Sequence, residues 1–152
     1  MTRSRRNRPR TLRLLLLLAL FAGVAACGGD DTPVPPPDAL GPFGVGHTSF
    51  TVVDAPREDR SILVDVWYPV DREDVGTGEP TEYPLMAIIG LESDVAEEDV
   101  AVSARTGQTL LVFSHGYGGI NIQSTQLMET LASHGFVVAA PEHTGNAQSS
   151  MT

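Results

Sequence analysis

Residues 109–141 read TLLVFSHGYGGINIQSTQLMETLASHGFVVAAP, and this stretch decides the fold. TLLVF (109–113) is a continuous apolar run, as expected of a strand buried on both faces. FVVAA (136–140) repeats that pattern and is closed by Pro141. Between them, residues 121–134 place Leu127, Met128, Leu131 and Ala132 on one helical stripe. Gly135 is positioned as the C-cap, and His134 sits where the helix dipole favours it. Strand, turn, helix and strand make a β-α-β unit, which requires parallel pairing and a right-handed crossover. Upstream, HTSFTVVD (47–54) and SILVDVWYP (61–69) flank the turn-forming APRED, which predicts an antiparallel hairpin. In the second run Ile62, Val64, Val66 and Tyr68 share one face, with Leu63, Asp65 and Trp67 on the other. Pro69, lacking an N–H, is expected to end that strand. The predicted class is α/β: an antiparallel opening hairpin feeding a parallel β-α-β unit.

Residues 70–108 are less regular. VDREDVGTGEPTEYP (70–84) has loop composition, and SDVAEEDVAVSA (93–104) reads as a short helix or irregular turns. Glu97, Glu98 and Asp99 form an acidic cluster that reads as a solvated loop face, since no ligand spacing accompanies it.

The 152 residues suit one modest domain. All ten cationic side chains are Arg, six of them within the first 13 residues. Beyond position 26, four Arg face 19 acids, a net −15 that repels phosphate backbones and argues against nucleic acid as a partner. A single cysteine excludes an internal disulfide, a Cys-rich zinc site and a CxxC redox pair. Neither a metal nor a cofactor is expected.

The first 26 residues read as an address. MTRSRRNRPRTLR is a positive n-region, and Leu14–Ala26 adds 13 apolar residues, short of the roughly 20 that span a bilayer. Val24-Ala25-Ala26-Cys27 resembles the bacterial lipobox, which implies acylation of Cys27 and export to a cell membrane or outer membrane. Acyl chains bury about 0.8 kcal/mol per CH₂, and two or more anchor durably. Residues 27–42, rich in Gly, Pro and acid, read as a flexible tether carrying a domain over 43–152.

The chemistry lies in SHGYGG (114–119), a glycine-rich turn after a buried strand and before a helix. Ligands of open α/β sheets gather at that carboxyl end. Gly116, Gly118 and Gly119 allow a sharp bend that leaves N–H groups pointing outward, where they can stabilise a developing oxyanion. A phosphate-binding reading fails: there is no GxGxxG, no GK[ST] and no basic residue nearby. Glu142 and His143, at the end of the following strand, lie near any such site.

LLVFSHGYGG…LASHGFVVAAPEH resembles the platelet-activating-factor acetylhydrolase family of α/β-hydrolases and its dienelactone-hydrolase-like and cutinase-like bacterial relatives. GPFGVGHTSFTVVD…RSILVDVWYPV is similar to the opening hairpin of the same relatives. The resemblance covers about 43–69 and 109–143. It implies that the backbone N–H of Tyr117 donates to the oxyanion and that the Tyr117 side chain lines the acyl pocket. It also implies that Gly116, Gly118 and Gly119 shape the loop while His115 buttresses it. The family's base follows Ser and Asp in chain order, so none of His47, His115, His134 or His143 matches it.

No GxSxG occurs in the chain; Ser114, Ser124, Ser133, Ser149 and Ser150 lack the flanking glycines of a nucleophile elbow. Nucleophile, acid and base are therefore expected outside these residues. The chain reads as the front half of a hydrolase sheet with four strands, inactive alone, its 109–113 edge apolar and prone to aggregate. The implied activity is hydrolysis of short-chain or phospholipid acyl esters. The alternatives are a non-catalytic lipid-anchored surface lipoprotein that uses the hydrolase front for binding, and a cutinase- or lipase-like hydrolase of polyesters or triacylglycerols. Nothing in the sequence fixes the oligomeric state.

Overall fold

A computed structural model describes residues 36, 39–86 and 89–150. The leader, Cys27 and most of the tether fall outside the described residues. Among these residues six strands form one sheet: β1 (Gly44–Asp54), β2 (Arg60–Val70), β3 (Pro80–Met86), β4 (Ile89–Glu98), β5 (Leu110–Val112) and β6 (Val137–Pro141). Their spatial order is β3-β4-β1-β2-β6-β5. Among the described residues one α-helix, α1 (Thr125–Ser133), joins β5 to β6.

The hairpin is as predicted and longer. β1 and β2 pair antiparallel from Gly44↔Val70 to Asp54↔Arg60. Arg57 and Arg60 both donate to Asp54 Oδ2 across the turn, at 2.9 and 2.8 Å. The Arg57 hydrogen bond comes first among the contacts that hold the Asp54 carboxyl below its ordinary pKa. Pro69 does not end β2. It lies inside the strand opposite Val45, and its carbonyl accepts from Ser103 N at 2.8 Å. Its nitrogen and carbonyl share the edge facing away from β1, and β6 pairs only as far as Trp67 on that side. The missing N–H therefore breaks no ladder bond.

The β-α-β unit is also present. β5 and β6 run parallel, with Leu110↔Val137 and Val112↔Ala139, and Pro141 is the last residue of β6 rather than its stop. The helix is shorter than the predicted 121–134, and its buried stripe differs. Met128 and Ala132 are buried as expected, Leu131 packs partly, but Leu127 is exposed and Glu129 and Ser133 take buried positions. Its end is a Schellman motif: Gly135 N donates to Ala132 O at 2.9 Å and Phe136 N to Leu131 O at 3.2 Å. Gly135 has φ +97°, and Leu131 and Phe136 both pack on the core. His134 serves as the C-cap, and its Nε2 lies 3.0 Å from Ala39 O. Residues 39–42, the end of the stretch read as a tether, are docked here: Gly41 N donates to Ser133 Oγ at 2.8 Å.

The region 70–108 departs most from expectation. Rather than a helix or turns, it supplies β3 and β4, which pair antiparallel, and β4 runs parallel to β1 at Val45↔Ala96. The sheet thus has six strands, not four. Irregular register at Pro80/Glu82 and Pro84/Met86 interrupts the alternation that would have marked these strands in the sequence. Pro80 and Pro84 are tolerated because β3 is an edge. The other edge, β5, is only three residues long and exposes Leu110 (59%) and Val112 (67%).

The α1 side of the sheet carries the main core, centred on Trp67, Tyr83, Met128 and Val138. Full burial of a side chain such as Met128 contributes about 1.5–3 kcal/mol. The opposite face holds a smaller cluster of Tyr68, Val70 and Val100. Gly135→Ala would force a β-carbon into a left-handed conformation and to 3.2 Å from the Phe43 ring. A loss of about 1–2 kcal/mol is expected in urea denaturation, and an unchanged midpoint would contradict the capping role.

Candidate active site

The carboxyl ends of β5 and β6 lie side by side, and the glycine turn leaves the first of them. Within SHGYGG only Gly118 adopts a left-handed conformation, at φ +66°. A β-carbon on Gly119 would press on the end of the Gln123 side chain and come within 3.1 Å of Gly116 O, whereas one on Gly116 would meet nothing. The bend thus depends on Gly118 for conformation and on Gly119 for space, and Gly116 is constrained in neither way. Gly119 N donates to Gly116 O and Gly118 N to Asn146 O, both at 3.0 Å. No acceptor for the Tyr117 N–H occurs among the described residues. The Tyr117 side chain is 87% exposed and lies outside the neighbouring cleft.

His115 is buried, and its ring orientation follows from two contacts. Nε2 accepts the His143 backbone N–H at 3.0 Å, so the ring proton sits on Nδ1 and is donated to Gly116 O at 2.8 Å. The imidazole therefore bridges the end of β6 to the turn, and it stacks on His143 with ring centroids 4.2 Å apart. His143 Nε2 lies 3.1 Å from Ser114 Oγ. Glu142 Oε1 accepts from the Ser149 hydroxyl rather than from His143, so no Ser–His–carboxylate chain is assembled among the described residues.

Beside the turn opens a cleft of about 600 Å³, lined by Leu63, Ile120 and Ile122 together with His47, Asp65, Glu98, Asn121 and Glu142. Its floor is a buried polar cluster absent from the sequence reading. His47 is only 5% exposed, yet Nε2 meets Asp65 Oδ1 and Nδ1 meets Glu98 Oε1, each at 2.8 Å. Asp65 Oδ2 accepts from Asn121 Nδ2. Burial disfavours the charged ring, but hydrogen bonds to Asp65 and Glu98, reinforced by their negative charge, outweigh it. The His47 pKa therefore stands above its ordinary 6.5. The available signal was a His and an Asp on the strand face that also carries Val45 and Trp67, where an unpaired polar group would be costly.

The acidic cluster 97–99 is no bland solvated face. Glu98 holds His47; Glu97 accepts the N–H groups of Gly76 and Gly78 at 2.7 and 2.9 Å; Asp99 accepts the Thr48 hydroxyl at 2.6 Å. Among the described residues, no group of His, Cys, Asp and Glu is placed to hold a metal ion.

Residues 86–152 match the family model for platelet-activating factor acetylhydrolase, isoform II. The platelet-activating factor acetylhydrolase of Cavia porcellus is 30% identical over 125 residues, covering 70% of this chain and 28% of that protein. The chain thus spans little more than a quarter of the curated relative it matches. A solved ferulic acid esterase from Streptomyces cinnamoneus superposes with a TM-score of 0.48 at 24% identity, covering 75% of this chain and 37% of that one.

Because the His47 pKa is raised on folding, its charge contributes stability that is complete below the unfolded value of about 6.5 and fades as pH rises through the folded value. The stability gap between the wild type and His47→Gln, measured by urea denaturation, is expected to be widest near pH 6 and to narrow toward pH 9. A gap that widens with pH would contradict a protonated ring between the two carboxylates.

Proposed function

We propose that the chain is part of an α/β-hydrolase esterase that cleaves short-chain or phospholipid acyl esters, a reading supported by the family-model match over residues 86–152 and the 30% identity to an acetylhydrolase. These residues would contribute the oxyanion donor. The single observation carrying this reading is the Tyr117 N–H: it has no acceptor in the turn, while the neighbouring Gly118 and Gly119 N–H groups are both engaged. Donors of this kind, fixed before the reaction begins, stabilise the tetrahedral intermediate without reorganising. His115, locked between His143 N and Gly116 O, supports the loop and does not act as the base. The nucleophile and its partners are assigned to residues outside this sequence, in keeping with the lack of GxSxG and of a carboxylate behind His143.

We also propose that the protein is exported and held on a bacterial membrane by acylated Cys27. The support is the Arg-rich start, the 13-residue apolar run and the VAAC junction. Cys27→Ser is expected to abolish incorporation of labelled fatty acid and to move the protein out of the membrane fraction. Retention of both would remove the anchor from the proposal.

The catalytic test is hydrolysis of nitrophenyl acetate by the protein made from its own gene. Turnover is expected, and Gly118→Val, which puts a β-branched residue at φ +66°, should lower kcat by about 10²–10³. Absence of turnover would overturn the esterase reading. Turnover by the 152 residues alone that vanishes with Ser114→Ala would place the nucleophile inside the chain, against the assignment made here.

A further inference from the structure

Asn121 lies two residues beyond Gly119, where the glycine turn bends toward α1, and is only 4% exposed. Its carboxamide donates to Asp65 Oδ2, and the other oxygen of Asp65 is held by His47 at 2.8 Å. His47 in turn is held by Glu98. One carboxamide therefore ties the exit of the turn to β2, and through His47 to β1 and β4. The start of the turn has a separate anchor, His115 on the His143 backbone. Shape and placement are thus supplied by different contacts: the bonds at Gly118 and Gly119 set the bend, and Asn121 seats its far end on the sheet.

We propose that Asp65 is a positioning residue for the Tyr117 N–H, acting through Asn121 to set where the glycine turn sits at the rim of the cleft, with His47 holding Asp65 in place from behind. The proposal rests on the reading of that N–H as the oxyanion donor and adds the device that aims it. Its chemistry is directional. Asp65 presents two buried oxygens, one requiring the imidazole and the other a neutral N–H donor. A second carboxylate at 121 would repel it, and an apolar side chain would leave Oδ2 without a partner.

The Trp67 ring packs 5.1 Å from the His47 ring, Glu82 and Glu142 line the same cleft, and among the described residues the titratable groups in direct contact with His47 are three. Asp65 comes from β2 and Glu98 from β4, while Tyr83 of β3 sets its ring edge-on at 5.3 Å. The Tyr83 hydroxyl is committed to Glu129 of α1. The raised His47 pKa agrees with a ring that donates to both carboxylates.

The experiment measures amide exchange by NMR on the ¹⁵N-labelled protein made from its own gene, corrected for intrinsic rates. The turn amides of Gly118 and Gly119 are compared with β2 amides at Val64 and Val66. Asn121→Leu is expected to speed exchange in the turn by about tenfold, with β2 unchanged. Equal acceleration in both places would mean general destabilisation, and no acceleration would mean no coupling; either overturns the proposal. Asn121→Asp supplies the chemical signature. Near neutral pH the turn should exchange as fast as in the Leu variant. Protection should return below roughly pH 5, where a carboxyl takes up a proton and can again donate to Asp65. A pH-independent Asp variant would overturn the proposal. The readout needs no substrate, so a lack of ester turnover would remove the oxyanion reading while leaving the Asp65–Asn121 coupling tested on its own.

Discussion

An imidazole between two carboxylates is a demanding arrangement to bury, because each charge taken from water must be offset by another at bonding distance. His47 meets that demand with Asp65 on β2 and Glu98 on β4, both at 2.8 Å. Removing His47 or Asp65 would leave the other short of a charge partner in the sheet interior, which commonly costs several kcal/mol, whereas Glu98 is partly open to water. The cluster therefore constrains more than itself. The parallel register of β1 and β4 brings His47 opposite Glu98, and the antiparallel register of β1 and β2 sets His47 against Trp67, two residue pairs from Asp65 and on the same face. A slip of one residue in either ladder would turn the partners to opposite faces.

The aromatic side chains extend this constraint to the helix. Trp67 Nε1 donates to the Tyr83 hydroxyl at 2.7 Å, and that hydroxyl donates to Glu129 at 3.0 Å. Ser93 Oγ reaches the same Glu129 oxygen at 2.6 Å and accepts the N–H of Ala96. A carboxylate on the buried side of α1 thus finds its partners on β3 and β4 rather than in water. This is why Glu129 takes a position that the periodicity of the helix would give to an apolar residue.

The legible parts of the fold were those where sequence period and structure agree. The apolar run 136–140, the glycine at the helix end and the APRED turn each gave a local signal that tertiary packing left in place; the run 109–113 marked a strand too, but β5 lies at the sheet edge with Leu110 and Val112 exposed rather than buried on both faces. β3 and β4 gave none. Their prolines, acids and irregular register suppress alternation, and they are strands because neighbours complete their ladders. The glycine turn was legible because few residue types adopt its geometry. The cluster beneath it was not: His47, Asp65, Glu98 and Asn121 come from four separate segments, and only the sheet order brings them together. Pro69 shows the same limit, since its missing donor matters only if a neighbouring strand reaches that far.

The order β3-β4-β1-β2-β6-β5 also has a kinetic side. The β1–β2 hairpin closes a short turn, and hairpins of this kind form in roughly 1–10 μs. Its seam with β6 joins Trp67 to Val138, enclosing 70 residues, and on a logarithmic scale this costs about 2 kcal/mol more in chain entropy than a five-residue loop. The hairpin is thus the natural template, and the β-α-β unit must arrive as a separate piece and dock on it. Until it does, the polar floor has no lid, and Asp65 is still hydrated when the last third of the chain comes to cover it.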